Sequence, residues 1–172
     1  MLKRLWVYLL ASLFFVFIVP IFITGLPAMA AAGPDPKWVY PSAQVKVTRP
    51  FDPPAKNWLA GHRGIDFPGE QDDQVYSTGF GIVVFADQLA SKGVVVINHG
   101  LVRTTYEPVS AIVDVGDEVI PGQLIGTLAP GISHCATSEK VWCLHWGAIR
   151  NGKYLNPLLL IHPRVRLLPL KH

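Results

Sequence analysis

Two hydrophobic patterns divide this chain. Residues 5–19 form an uncharged, mostly apolar run behind Lys3 and Arg4, closed by Pro20 and followed by Ala28-Met29-Ala30-Ala31-Ala32. Beyond residue 33 that run gives way to short Val- and Ile-rich stretches cut by Gly, Pro and Asp, with almost no helical periodicity. Such stretches predict strands joined by turns. Residues 79–86 read as a strand entered from a tight Gly turn. Residues 93–100 read as a buried strand with a glycine at each end, and 102–106 as its hairpin partner. Residues 111–117 lead through 119–123 into a strand over 124–128, and 141–149 form another. Gly116-Asp117 and Pro121-Gly122 mark corners. The expected class is all-β, a sandwich or a compressed barrel.

The N-terminal run has the parts of an export signal: a basic start, an apolar middle and a small-residue cleavage site after Ala30 or Ala32. A spanning helix needs roughly 20 apolar residues, and Pro20, Gly25 and Pro27 interrupt this one. A cleaved signal and an uncleaved anchor that keeps the chain in contact with the membrane both remain open. Either places the domain outside the cytoplasm, secreted or in the cell envelope. The expected division is a signal over 1–32, a Pro-rich lead-in over 33–47, a β domain over 48–161 and a basic tail over 162–172.

Composition narrows the picture further. A chain of 172 residues suits one domain with a real core. The formal net charge is +3, and two of the basic residues precede the apolar run, so the exported part is close to neutral. That balance argues against a nucleic-acid partner. The only cysteines, Cys135 and Cys143, both fall in the exported part. An oxidising compartment favours a disulfide between them, contributing about 2–3 kcal/mol. Free thiols, or Cys143 as a metal ligand, are the alternatives.

Three polar side chains suggest chemistry. His62 and Asp66 flank Gly64, which disfavours a helix and leaves them on a loop or extended segment. His145 lies in an apolar stretch where alternation points Cys143, His145 and Gly147 one way and Leu144 and Trp146 the other. A surface cluster and a satisfied core histidine are the bland readings of these residues. Together, His62, Asp66 and His145 form a reasonable ligand set for one zinc ion with its fourth position open. Residues 115–126 also look like the hammerhead of biotinyl and lipoyl carriers, but no Met-Lys pair follows, so only the strand–corner–strand unit carries over.

From residue 61 to about 158 the chain resembles the lysostaphin and LytM-type zinc metallopeptidases. The matching pieces are Gly61-His62-Arg63-Gly64-Ile65-Asp66, Gly79-Phe80-Gly81-Ile82-Val83, Val96-Ile97-Asn98-His99-Gly100 with Thr105-Tyr106, Val119 to Gly126, Leu144-His145-Trp146 and Asn156-Pro157-Leu158. They come in the family's order. The resemblance implies a duplicated-hybrid-motif β-fold, a Zn2+ cofactor on His62, Asp66 and His145, and cleavage of peptidoglycan peptide cross-links. It also implies a substrate contact for Arg49 and a structural role for His99. Cys143 stands where such enzymes carry a catalytic histidine, and Pro108 stands at a second one. Glu107 and His134 are the candidates for replacing them, although Glu107 and Pro108 should face opposite ways. General acid–base help is typically worth about 10²–10⁴-fold. A catalytically degenerate member that binds cell wall or regulates a partner hydrolase is therefore the alternative.

Overall fold

The β-branched stretches pair into two sheets. The computed structural model describes residues 38–56, 58–130 and 142–162. The segment read as an export signal, His134, Cys135 and the tail beyond residue 162 lie outside the described residues. The strands are β1 (Gly64–Gly69), β2 (Gln74–Tyr76), β3 (Gly81–Leu89), β4 (Lys92–Asn98), β5 (Arg103–Glu107), β6 (Val109–Ala111), β7 (Glu118–Val119), β8 (Leu124–Leu128), β9 (Trp142–Arg150) and β10 (Lys153–Leu155). One short helix, α1 (Leu158–Ile161), closes the series.

The larger sheet runs β1-β9-β5-β4-β3-β7, with β10 also paired to β9; the smaller runs β2-β8-β6. Every pairing between these strands is antiparallel. The all-β expectation holds, as a curled half-barrel sheet with a second sheet packed on it. The core follows from period-two alternation. Ile65 and Phe67 of β1, Val95 and Ile97 of β4, Tyr106 of β5 and Leu144 and Trp146 of β9 point inward and are buried. They meet Val75, Val109, Ile125 and Leu128 from the smaller sheet. Residues 38–47, read as a lead-in, lie along this core: Tyr40 and Val47 pack against it, and the Pro41 carbonyl accepts from the Tyr76 N–H. At the other end Asn156-Pro157 starts α1, whose Leu158, Leu160 and Ile161 cover the core from outside.

The expected corners at 116–117 and 121–122 are present. Gly116 (φ 102°) and Gly122 (φ 81°) adopt the left-handed conformation that glycine supplies without strain. One boundary differs from expectation. β3 runs on to Leu89 and β4 starts at Lys92, joined by Ala90 and Ser91, both with positive φ. That is a two-residue hairpin turn made without the Gly or Asn that normally announces it. Gly93 accordingly lies inside β4, where a Cβ would come within 2.1 Å of the Val109 carbonyl oxygen of the crossing strand β6.

A buried polar chain ties β5 to the loop before β3. The Tyr106 hydroxyl lies 3.1 Å from the Thr78 N–H nitrogen, 2.8 Å from Thr78 Oγ1 and 2.9 Å from Thr104 Oγ1. Thr104 Oγ1 is 2.8 Å from His99 Nε2, and His99 Nδ1 is 2.7 Å from the Phe80 carbonyl oxygen. Burial holds the His99 imidazole below its ordinary 6.5, with the Phe80 carbonyl pulling the other way. The unfolded chain thus takes up this proton at a higher pH than the folded one. Stability is expected to be at its plateau above about pH 6.5 and to be lost as pH falls below it. Urea midpoints measured from pH 8 to pH 5 should show that loss, and a smaller one in His99→Gln. Identical slopes in the two proteins would show that His99 is not the source.

Candidate metal centre

The register between β1 and β9 sets the geometry, since Asp66 lies directly opposite His145. Asp66 is held on its other side as well. Its N–H donates to the Arg49 carbonyl (3.0 Å), and its carbonyl accepts from Thr48 N–H and Thr48 Oγ1. His62 precedes β1 and is fixed by a two-way backbone bridge with Asp52. So three segments, 48–52, 62–66 and β9, position the three side chains.

The side chains converge on one point. His62 Nε2 lies 3.0 Å from Asp66 Oδ1 and 3.1 Å from His145 Nδ1, and His145 Nδ1 lies 2.8 Å from Asp66 Oδ1. The residues are 4%, 0% and 9% exposed. The Pro50 carbonyl accepts a hydrogen bond from His62 Nδ1 at 2.7 Å. That puts the proton of a neutral ring on Nδ1 and turns the Nε2 lone pair toward Asp66 Oδ1, itself an acceptor. One proton on His145 Nδ1 satisfies one edge of this triangle and leaves two acceptors facing each other along another. A cation at the centre satisfies all three. A tetrahedral ion with bonds of about 2.0–2.2 Å needs donor–donor edges of about 3.3–3.6 Å. The observed edges are a few tenths of an ångström shorter, so the donor set fits such an ion. Among the described residues, His62, Asp66 and His145 form the group able to hold a metal.

Gly64 explains why the motif carries a glycine between its two ligands. A Cβ there would lie 2.4 Å from the Trp146 carbonyl oxygen and 2.6 Å from His145 Nε2. Gly147 has a parallel reason, since a Cβ would lie 2.5 Å from Thr105 Oγ1. Cys143 shares the alternation of His145 but is not a member of the ligand group. It is buried, there is no free cysteine among the described residues, and its expected partner Cys135 lies outside them.

The centre opens into a groove of about 440 Å³. Val94 and Val96 line it from β4, and Thr105 and Glu107 from β5. Glu107 is paired directly with His145 across β5 and β9. The expected alternation holds, but with the useful residue on the open side: Tyr106 and Pro108 are buried, and Glu107 faces the groove. Arg49, for which the family resemblance implies a substrate contact, lines the same groove. His134, the other proton-transfer candidate, lies outside the described residues. Sequence reasoning missed Arg63, Lys92 and Tyr154. Arg63 sits inside the motif, donates to the Leu59 carbonyl (3.1 Å) and lies over the Tyr154 ring (5.7 Å). Lys92 gave no signal because the turn beside it has no glycine.

Residues 60–157, more than half of the chain, match the family model for Peptidase family M23. The chain belongs to peptidase family M23. The uncharacterized protein Rv2891 of Mycobacterium tuberculosis (strain ATCC 25618 / H37Rv) is 44% identical over 130 residues, covering 72% of this chain and 51% of that protein. The chain thus spans about half the length of the curated relatives it matches. Among solved structures, Helicobacter pylori Csd3 is similar with a TM-score of 0.58 at 25% identity, over 78% of this chain and 37% of that one. A zinc-containing peptidase from Vibrio cholerae has a TM-score of 0.55 at 28% identity, over 67% of this chain and 37% of that one. The catalytic domain of the antimicrobial peptidase lysostaphin from Staphylococcus simulans has a TM-score of 0.55 over 68% of this chain and 92% of that one. At 24% identity, that last likeness concerns the fold alone. Among the described residues, no helix is long and apolar enough to cross a membrane.

Proposed function

We propose that this M23 chain is an exported zinc metalloendopeptidase that cuts peptide cross-links of peptidoglycan. The observation that supports this reading best is the convergence of His62 Nε2, Asp66 Oδ1 and His145 Nδ1 on one point beside an open groove. These three residues would hold the ion. When bound, zinc supplies Lewis acidity toward a carbonyl and toward water. The chain's own residues do the rest. The Pro50 carbonyl keeps the His62 ring in its ligating orientation, a supporting hydrogen bond of the kind that tunes metal sites. Val94 and Val96 give an extended peptide an apolar floor. Glu107, opposite His145, is the groove carboxylate we assign to accept a proton. A disulfide of Cys143 with Cys135 would keep the thiol off the metal.

One observation favours a second reading. The only imidazoles lining the groove among the described residues are the two ligands themselves. A chain without proton-transfer histidines would serve as a cell-wall binder or a regulator of a partner hydrolase.

Incubation of the zinc-loaded protein with isolated cell wall separates the readings. New amino termini should appear, disappear with a chelator and return with zinc. In the same preparation thiol titration should read none before reduction and two after. Zinc near one per chain without release would favour the binder; no zinc at all would remove the centre and the enzyme together.

A further inference from the structure

The groove has a charge pattern that the hydrolytic reading does not use. The pairing of Arg49 with Asp66, Asp66 with His145 and His145 with Glu107 sets those residues in one row across the sheet. Val95 pairs with Tyr106, so the row continues from Glu107 to Val94, and Lys92 lies two residues further along β4 on the same face. Arg49 therefore stands on one flank of the centre and Lys92 on the other. Both line the groove, Arg63 lines it as well, and Glu107 is its one carboxylate besides the buried ligand. Among the described residues neither Arg49 nor Lys92 makes an ion pair; the pairs at the centre join His62 and His145 to Asp66. Two cations that meet no acid there, at opposite ends of an apolar-floored groove, complement an anionic ligand.

Distance turns this into a position on the ligand. Two strand steps of about 4.8 Å across and two residues of about 3.4 Å along put the Lys92 Cα roughly 12 Å from that of His145. An extended peptide advances about 3.3–3.6 Å per residue, so about three residue lengths of such a peptide separate the Lys92 position on β4 from the His145 position on β9. Leu89, paired with Lys92 across the hairpin, lines the groove beside it with an apolar side chain.

Resting on the peptidase reading, we propose that the groove is selective for peptides bearing a free carboxylate about three residues from the bond at the metal centre, and that Lys92 is the specificity residue that reads it. The carboxylate is either an acidic side chain or a chain terminus.

The test uses the zinc-loaded full chain and one cross-linked peptide purified from isolated cell wall. The peptide is prepared with all carboxylates free, with side-chain carboxylates amidated, and with terminal carboxylates amidated. Binding is read by calorimetry and cleavage by chromatography. Amidation of one class should weaken binding about ten-fold, and the class that does so names the source. Lys92→Gln should weaken binding of the free form by the same factor and leave the amidated form unchanged, so that the two changes do not add. Unchanged affinity for the amidated form also shows that Lys92→Gln is folded. A preference that survives in Lys92→Gln, or equal binding of all three forms by the parent, overturns the proposal. The two readings fail separately. Cleavage of every form at one rate keeps the hydrolase and removes the carboxylate reading. A Lys92-dependent preference without cleavage keeps the carboxylate reading and removes the hydrolase.

Discussion

Zinc content is expected to fall from about one per chain to near zero when His145 is replaced by alanine, and peptide release from cell wall to fall to background with it. The triangle has three corners and no spare. Its edges of 2.8–3.1 Å are set by strand register on one side and by the 48–52 segment on the other. Removing Nδ1 of His145 leaves two donors, too few for the closed side of a tetrahedral site. The loss should exceed the roughly 10–100-fold that removing a mere supporting residue costs in metal affinity. Metal analysis of the purified variant reads it directly. Circular dichroism should show the fold retained, because His145 faces the groove while its neighbours Leu144 and Trp146 hold the core side of β9. Full zinc retention in a folded His145→Ala protein would place the metal elsewhere and end the reading.

How far the sequence led depends on which physical signal each residue left. β8 coincides with the stretch expected over 124–128, because an apolar run bounded by a glycine corner is a local property. His62, Asp66 and His145 were legible as a set, though 83 positions separate the two histidines. Strand alternation and the glycine at 64 already limited where those side chains could point. The Ala90-Ser91 turn was not legible. Alanine and serine carry no preference for positive φ, and only pairing of the flanking strands holds them there. With the turn went Lys92, and with Lys92 the charge pattern of the groove. Glu107 was legible as a candidate facing away from Pro108, but which of the two faces the groove was not. Alternation fixes relative facing along β5, but which of Tyr106 and Glu107 enters the core is decided by Thr78 and Thr104 claiming the tyrosine hydroxyl. The Pro50 carbonyl left no trace at all, since every residue has one.

Gly64→Ala should couple stability and metal binding in a way no exposed glycine does. The new methyl would lie 2.4 Å from a backbone oxygen of β9 and 2.6 and 2.7 Å from Nε2 and Cε1 of the His145 ring. None of these is a flexible side-chain end. Relief requires β1 to move away from β9, or the imidazole to tilt, and both open the triangle that those strands create. Overpacking of this kind costs about 1–3 kcal/mol, and backbone on one side argues for the upper end. Urea unfolding of metal-free protein measures the strain alone. The zinc-loaded protein should show a larger deficit, because a ligand that binds only the folded state adds less when its affinity falls. Gly116→Ala is the contrast. Its glycine has a φ of 102°, and a methyl added there would meet nothing within 4 Å. That variant bears only the left-handed backbone penalty, about 1–2 kcal/mol, with zinc content unchanged. The comparison separates strain at the centre from strain anywhere. If Gly64→Ala bound zinc as well as Gly116→Ala does, the close approach of β9 would not be what holds the ligands together.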